Sequence, residues 1–211
     1  MPKKTAPLVL KTRIQNQNEA LILDAALEVF SAYGYRGTTV DQIASKCGLS
    51  KPNLLYYFKR KEDIYTAVLE RTLTHWLAPL QALDANKDPI EELSRYISAK
   101  LDLTFQQPEA SKLFANEILH GAPHVSAFLK GPLRDLVAAK ANVIRGWMDA
   151  GKIRPVSAEH LIFGIWAVTQ HYADFSVQVE AVLGTKPQAK QLKSTVSELL
   201  LRGLKIEAKA V

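Results

Sequence analysis

Four side chains within seven residues, Lys51, Asn53, Tyr56 and Tyr57, combine a cation, an amide and two phenols. Those are the groups that grip phosphate and read base edges in duplex DNA. A second polar group interrupts the apolar run Ile165–Phe175: Gln170, His171, Tyr172 and Asp174 fall within five residues. On a helix, Gln170 and Asp174 (i, i+4) share a face, as do His171 and Asp174 (i, i+3). Buried polar groups need partners, and a few convergent polar groups in an apolar surround suit a small-molecule pocket. His171 with Asp174 could equally be a satisfied core pair, an interface hydrogen bond or half of a metal site, although two ligands without a third make poor metal chemistry. Trp76 and Trp166 offer flat faces for stacking; Trp166 lies in an apolar stripe and reads as core at least as readily.

Helical periodicity runs through nearly the whole chain, and strand alternation is almost absent. The fold class expected is therefore all-α, with about nine helices. Leu23, Ala26, Leu27 and Phe30 space one apolar face, and Gly34 stops that helix. Thr39 and Gln42 have the form of a capping box, Gly48 permits a sharp turn, and Ser50 caps a short helix with Pro52 in its first turn. Ile43, Ala44, Leu49 and Leu54 can close a small core between the two short helices. This is a helix-turn-helix with Lys51, Asn53, Tyr56 and Tyr57 outside. A generic helical hairpin with a polar face would look similar. A longer helix starts near Lys61 and runs to about Leu83, with Pro79 expected to kink or end it. Further helices start at Asp88, Pro108, Pro132 and Ser157, and a last one reaches about Lys205. His120 and His124 fall beside the Gly121-Ala122-Pro123 break and read as a loop, while Glu117 is a candidate pocket carboxylate.

Composition narrows the function. Of 211 residues, 27 are Lys or Arg and 21 Asp or Glu, a net charge of +6. The first 65 residues hold ten of those bases against six acids, so the surplus is concentrated at the front, a distribution that permits nucleic-acid binding without establishing it. One cysteine, Cys47, allows no disulfide within the chain and fits a reducing cytoplasm. No apolar run approaches the roughly 20 residues of a membrane span, and the N-terminus does not read as a signal peptide. No phosphate-binding glycine loop, placed nucleophile or metal triad is present. Neither a cofactor nor a metal is expected, and an enzyme using His171 as base with Asp174 to orient it is the weaker alternative.

The stretch from residue 22 to 69 resembles the TetR family of bacterial regulators. The shared features are Phe30 with Gly34, Gly37-Thr38-Thr39, Ile43-Ala44, Gly48-Leu49-Ser50, and Leu55-Tyr56-Tyr57-Phe58 followed by Lys61-Glu62. The resemblance implies that Lys51–Tyr57 enters the major groove. It also implies that Thr39 and Lys61 grip phosphates, and that Tyr56 and Tyr57 touch backbone or thymine methyls. Pro52 departs from many relatives and leaves the operator open. The segments His75-Trp76-Leu77-Ala78-Pro79-Leu80 and Ile165–Phe175, with Leu55-Tyr56-Tyr57-Phe58, Pro108-Glu109-Ala110-Ser111, the Gly121-Ala122-Pro123 break and His160-Leu161-Ile162-Phe163, are similar to the family's pyrimidine-utilisation branch. That implies a pyrimidine-base effector such as uracil at Trp76, Trp166, Gln170, His171, Tyr172 and Asp174, and repression of a palindromic operator. Leu161, Ile165 and Val168 form one apolar stripe, and Leu192, Val196, Leu199 and Leu200 another. In this family the last two helices build a homodimer interface. The expected organisation is a basic arm over 1–17, a DNA-binding domain over 18–65, and a ligand-binding and dimerisation domain over 66–211.

Overall fold

The computed structural model describes residues 13–206, which form ten α-helices of seven residues or more and no strand. The chain divides into two compact units between Val68 and Leu69. Residues 1–12 of the expected arm lie outside the described residues; Arg13–Gln17 already belong to the first helix.

In the first unit, α1 (Arg13–Gly37) buries Ile22, Ala25, Ala26, Val29 and Phe30 along one face. Gly34 breaks its regular run with φ 67° and ψ 174°, a region side-chain-bearing residues avoid. Thr38, fully buried, donates its hydroxyl to the Gly34 carbonyl at 2.8 Å and ties off the helix end. Helix α2 (Val40–Lys46) begins with the expected capping box. Thr39 Oγ1 accepts from the Gln42 amide at 3.2 Å, and Gln42 Oε1 accepts from the Thr39 amide at 2.7 Å. At the turn, the Cys47 amide donates to Ile43, its thiol donates to the Ala44 carbonyl at 3.4 Å, and Gly48 takes φ +70°. Ser50 caps α3 (Lys51–Tyr57) through the Asn53 amide, with Pro52 in the first turn, where no donor is needed. Ile43 and Leu54, both fully buried, close the core between these two helices.

Helix α4 (Lys61–Gln81) starts in the first unit and ends in the second, carrying Pro79 within its last turn. The second unit continues with α5 (Pro89–Gln106), α6 (Pro108–Leu119), α7 (Arg134–Asp149), α8 (Ala158–Asp174), α9 (Ser176–Leu183) and α10 (Ala189–Leu201). Helix α8 lies at the centre, packed against α5, α6 and α7, while α10 covers α5. The core gathers Leu93, Ile97, Leu101, Ile144, Trp147, Ile162 and Ile165.

The structure departs from the expectations in three places. Helix α9 is additional: it buries only Val179 while Val177, Val182 and Leu183 are exposed, so no apolar stripe announces it. Pro132 does not start a helix. It lies in a π-helical turn, Leu129–Leu133, that leads into α7, and such a widened turn accommodates a residue without an amide donor. Most of the expected dimer stripe faces inward: Ile165, Leu192 and Val196 are buried, Leu161, Val168 and Leu200 pack against the same core, and Leu199 remains 69% exposed.

Candidate functional site

The first unit presents the polar face. Lys51, Asn53 and Tyr56 are exposed on α3, and Tyr56 lies edge-on to Tyr57 with ring centroids 5.3 Å apart. The Lys51 ammonium pairs with the Asp41 carboxylate of α2 at 2.8 Å. Tyr57 is half-buried, and its phenol oxygen accepts a 2.7 Å bond from Asn18 of α1, which fixes α3 against α1. Thr39 is exposed but engaged in its capping box. The Lys61 ammonium donates to the carbonyls of Tyr35 at 2.7 Å and Thr38 at 2.8 Å, and sits 4.5 Å from the Tyr35 ring centroid. It clamps the corner between α1 and α2, an occupation that nothing in the sequence signalled.

The second unit buries a polar cluster. Trp76 of α4 is 4% exposed, and its indole N–H has no acceptor among the described residues. Phe114 of α6 meets the Trp76 ring edge-on at 5.9 Å. Lys100 of α5, also 4% exposed, holds its ammonium 4.7 Å from the centroid of the same ring. Burial pushes the Lys100 ammonium down to about 8, against the opposing pull of Asp174. Burial likewise raises the half-buried Asp174 carboxyl, although it accepts a hydrogen bond from the buried Ser111 hydroxyl and feels Lys100, His171 and Lys112. Both ionisable groups are thus driven toward neutrality, an arrangement typical of functional clefts. On α6, buried Glu117 accepts from the His124 amide at 2.7 Å and from its Nδ1 at 3.2 Å, so this carboxylate is satisfied locally.

Lys100 lies over the Trp76 ring and is electrostatically coupled to Asp174, which His171 also influences, and Gln170 is half-buried one turn before Asp174 on α8. Trp166, His171 and Tyr172 have partners or neighbours of their own elsewhere. The Trp166 indole donates to the Tyr96 hydroxyl at 2.6 Å and packs against the core. The His171 ring is exposed and stacked on Phe175 at 5.1 Å. Tyr172 lines a separate groove of roughly 520 Å³ with Val179, Val182 and Leu192. Sequence reasoning missed Lys100 and Ser111. Lys100 had a signal: it occupies a core position in the α5 stripe Leu93, Tyr96, Ile97, Lys100, Leu101, Thr104. A lysine there is buried against every expectation for its type.

An exposed polar face on the second of two short helices around a glycine turn is the geometry of a helix-turn-helix unit. Residues 22–68 match the family described as bacterial regulatory proteins, tetR family, and residues 69–207 match the YcdC-like protein C-terminal region. The chain is 43% identical to the HTH-type transcriptional regulator RutR of Escherichia coli K12 over 199 residues, covering 92% of this chain and 94% of that protein. It is 27% identical to the HTH-type transcriptional repressor NicS of Pseudomonas putida, covering 87% and 91%. Among solved structures, a tetR-family regulatory protein from Rhodococcus RHA1 superposes with a TM-score of 0.73 at 21% identity, covering 91% of this chain and 99% of that one. The ketosteroid transcriptional regulator KstR2 of Mycobacterium tuberculosis gives 0.69 at 19% identity, covering 94% and 98%. This chain belongs to the TetR family of bacterial transcriptional regulators.

Proposed function

We propose that the protein is a homodimeric repressor that works in the cytoplasm on a palindromic operator and releases it on binding a pyrimidine base such as uracil. The reading assigns DNA recognition to residues 18–65, and effector binding and dimerisation to 66–211. The observation that carries the effector assignment is the unpartnered indole N–H of Trp76, buried beside Lys100, which Asp174 influences electrostatically. An orphaned buried donor costs roughly 1–3 kcal/mol, and a flat imide would relieve that. Its carbonyl oxygens would accept from Trp76 and Lys100, and its ring N–H would donate to Asp174 or the Gln170 amide oxygen. The resemblance to RutR supports a pyrimidine ligand over other planar imides.

Helix α4 offers the connection. Lys61 at its start clamps the corner of the DNA-binding unit, and Trp76, fifteen residues on, belongs to the polar cluster. Effector and operator would then oppose each other through a single reciprocal coupling energy, typically about 1–3 kcal/mol.

The test starts from an operator selected out of random duplexes. Uracil should weaken its binding by roughly 5–150-fold, and Trp76→Phe should keep operator binding while losing that response. Operator affinity that does not change on saturating with uracil rejects the pyrimidine assignment.

A further inference from the structure

Lys51 is the only charged residue of α3, the helix placed in the groove by the reading above. Its ammonium is held at 2.8 Å by Asp41, with both side chains about half exposed. Other cations of this unit are also paired, Lys46 with Glu28 at 2.6 Å and Arg60 with Asp63 at 2.7 Å. Among the described residues, the Asp41 pair is the one that engages a cation on α3. An exposed pair of this kind adds little to stability, so stability is a poor explanation for a carboxylate at this position. It stands in the first turn of α2, where its charge suits the helix dipole. That contribution is also small, about 0.3–1 kcal/mol.

We propose that Asp41 is an affinity-setting residue for DNA, acting as a built-in competitor that holds Lys51 away from the phosphates any duplex offers. The claim rests on the assignment of α3 to DNA. To contact phosphate, Lys51 exchanges one anion for another, and the displaced Asp41 is left close to a polyanion. The carboxylate also serves as a resident counterion, so fewer mobile cations are released on binding, and the salt dependence is shallower than the number of basic residues implies. Weak binding to arbitrary duplex keeps the protein available for sites where Asn53 and Tyr56 find matching base edges.

The experiment is a double-mutant cycle. Binding of the full chain to a random-sequence duplex of about 30 base pairs is followed by fluorescence anisotropy from roughly 50 to 200 mM KCl. Asp41→Asn, and equally Asp41→Ser, should bind about 3–10-fold tighter than wild type at the same salt. The slope of log K against log salt should steepen by up to about 0.9, one phosphate contact. In a Lys51→Met background, less than half of the gain (as log K) should remain. Absence of tightening, or an undiminished gain without Lys51, overturns the proposal and leaves the DNA assignment standing. Failure of every variant, wild type included, to bind duplex overturns both.

Discussion

Lys100 is a residue whose contribution to folding and to function should have opposite signs. Its buried ammonium titrates near 8 against an ordinary value of 10.5. Below pH 8 it is charged in folded and unfolded chains alike, and the full burial penalty, on the order of 3 kcal/mol, weighs against the fold. Between pH 8 and 10.5 the unfolded chain holds more protons, so stability rises with pH through that window. Lys100→Met should therefore melt higher than wild type at pH 7, by about 2–4 °C for each kcal/mol recovered, and its melting temperature should lose the rise above pH 8. The same variant should no longer respond to effector. Scanning calorimetry at several pH values measures the first part; a Lys100→Met protein that melts lower at pH 7 shows that Lys100 supports the core instead. A group kept in place against its own stability contribution is the pattern expected at a binding site.

The α2–turn–α3 element was readable in the sequence almost in full, because its signals are local. Thr39 with Gln42, Gly48 and Ser50 each do what their types predict, through bonds spanning three or four residues. Thr39→Ala should remove a cap worth about 1 kcal/mol and lower operator affinity through fraying of α2. Gly48→Ala meets no atom within 4 Å, so its effect is backbone strain alone at φ +70°, about 1–2 kcal/mol. Urea melts of both variants report the loss directly. What could not be read was non-local. Lys61 finds carbonyls 26 and 23 positions back in the chain, and Tyr57 finds Asn18 across 39. The Asp174 partner Ser111 lies 63 residues away. Periodicity places such residues on a face, but it does not say which face of another helix they meet. The inward turn of Ile165, Leu192 and Val196 has the same origin: an apolar stripe does not reveal whether it serves its own core or a second copy.

The described residues leave apolar side chains uncovered on the last three α-helices and at the junction between α8 and α9. Phe163 is 47% exposed, Phe175 53%, Val177 79%, Val182 80%, Leu183 55% and Leu199 69%. Exposed apolar side chains suit an association surface, TetR-family regulators are usually dimers, and the homodimer proposed above would have these side chains at hand. Because Leu199 and Val182 lie outside the core, Leu199→Glu and Val182→Glu should leave the melting of a single chain within about 0.5 kcal/mol while shifting sedimentation from dimer toward monomer. Sedimentation velocity at low micromolar loading checks this, and an unchanged dimer moves the interface elsewhere. The lone sulfhydryl of Cys47 then acquires a use. It sits half-buried in the turn that aims α3, and no other thiol competes for a label. A spin-labelled homodimer would carry two equivalent probes, one beside each recognition helix. A single interspin distance from pulsed electron resonance would then serve as a ruler of half-site spacing, read with and without the pyrimidine.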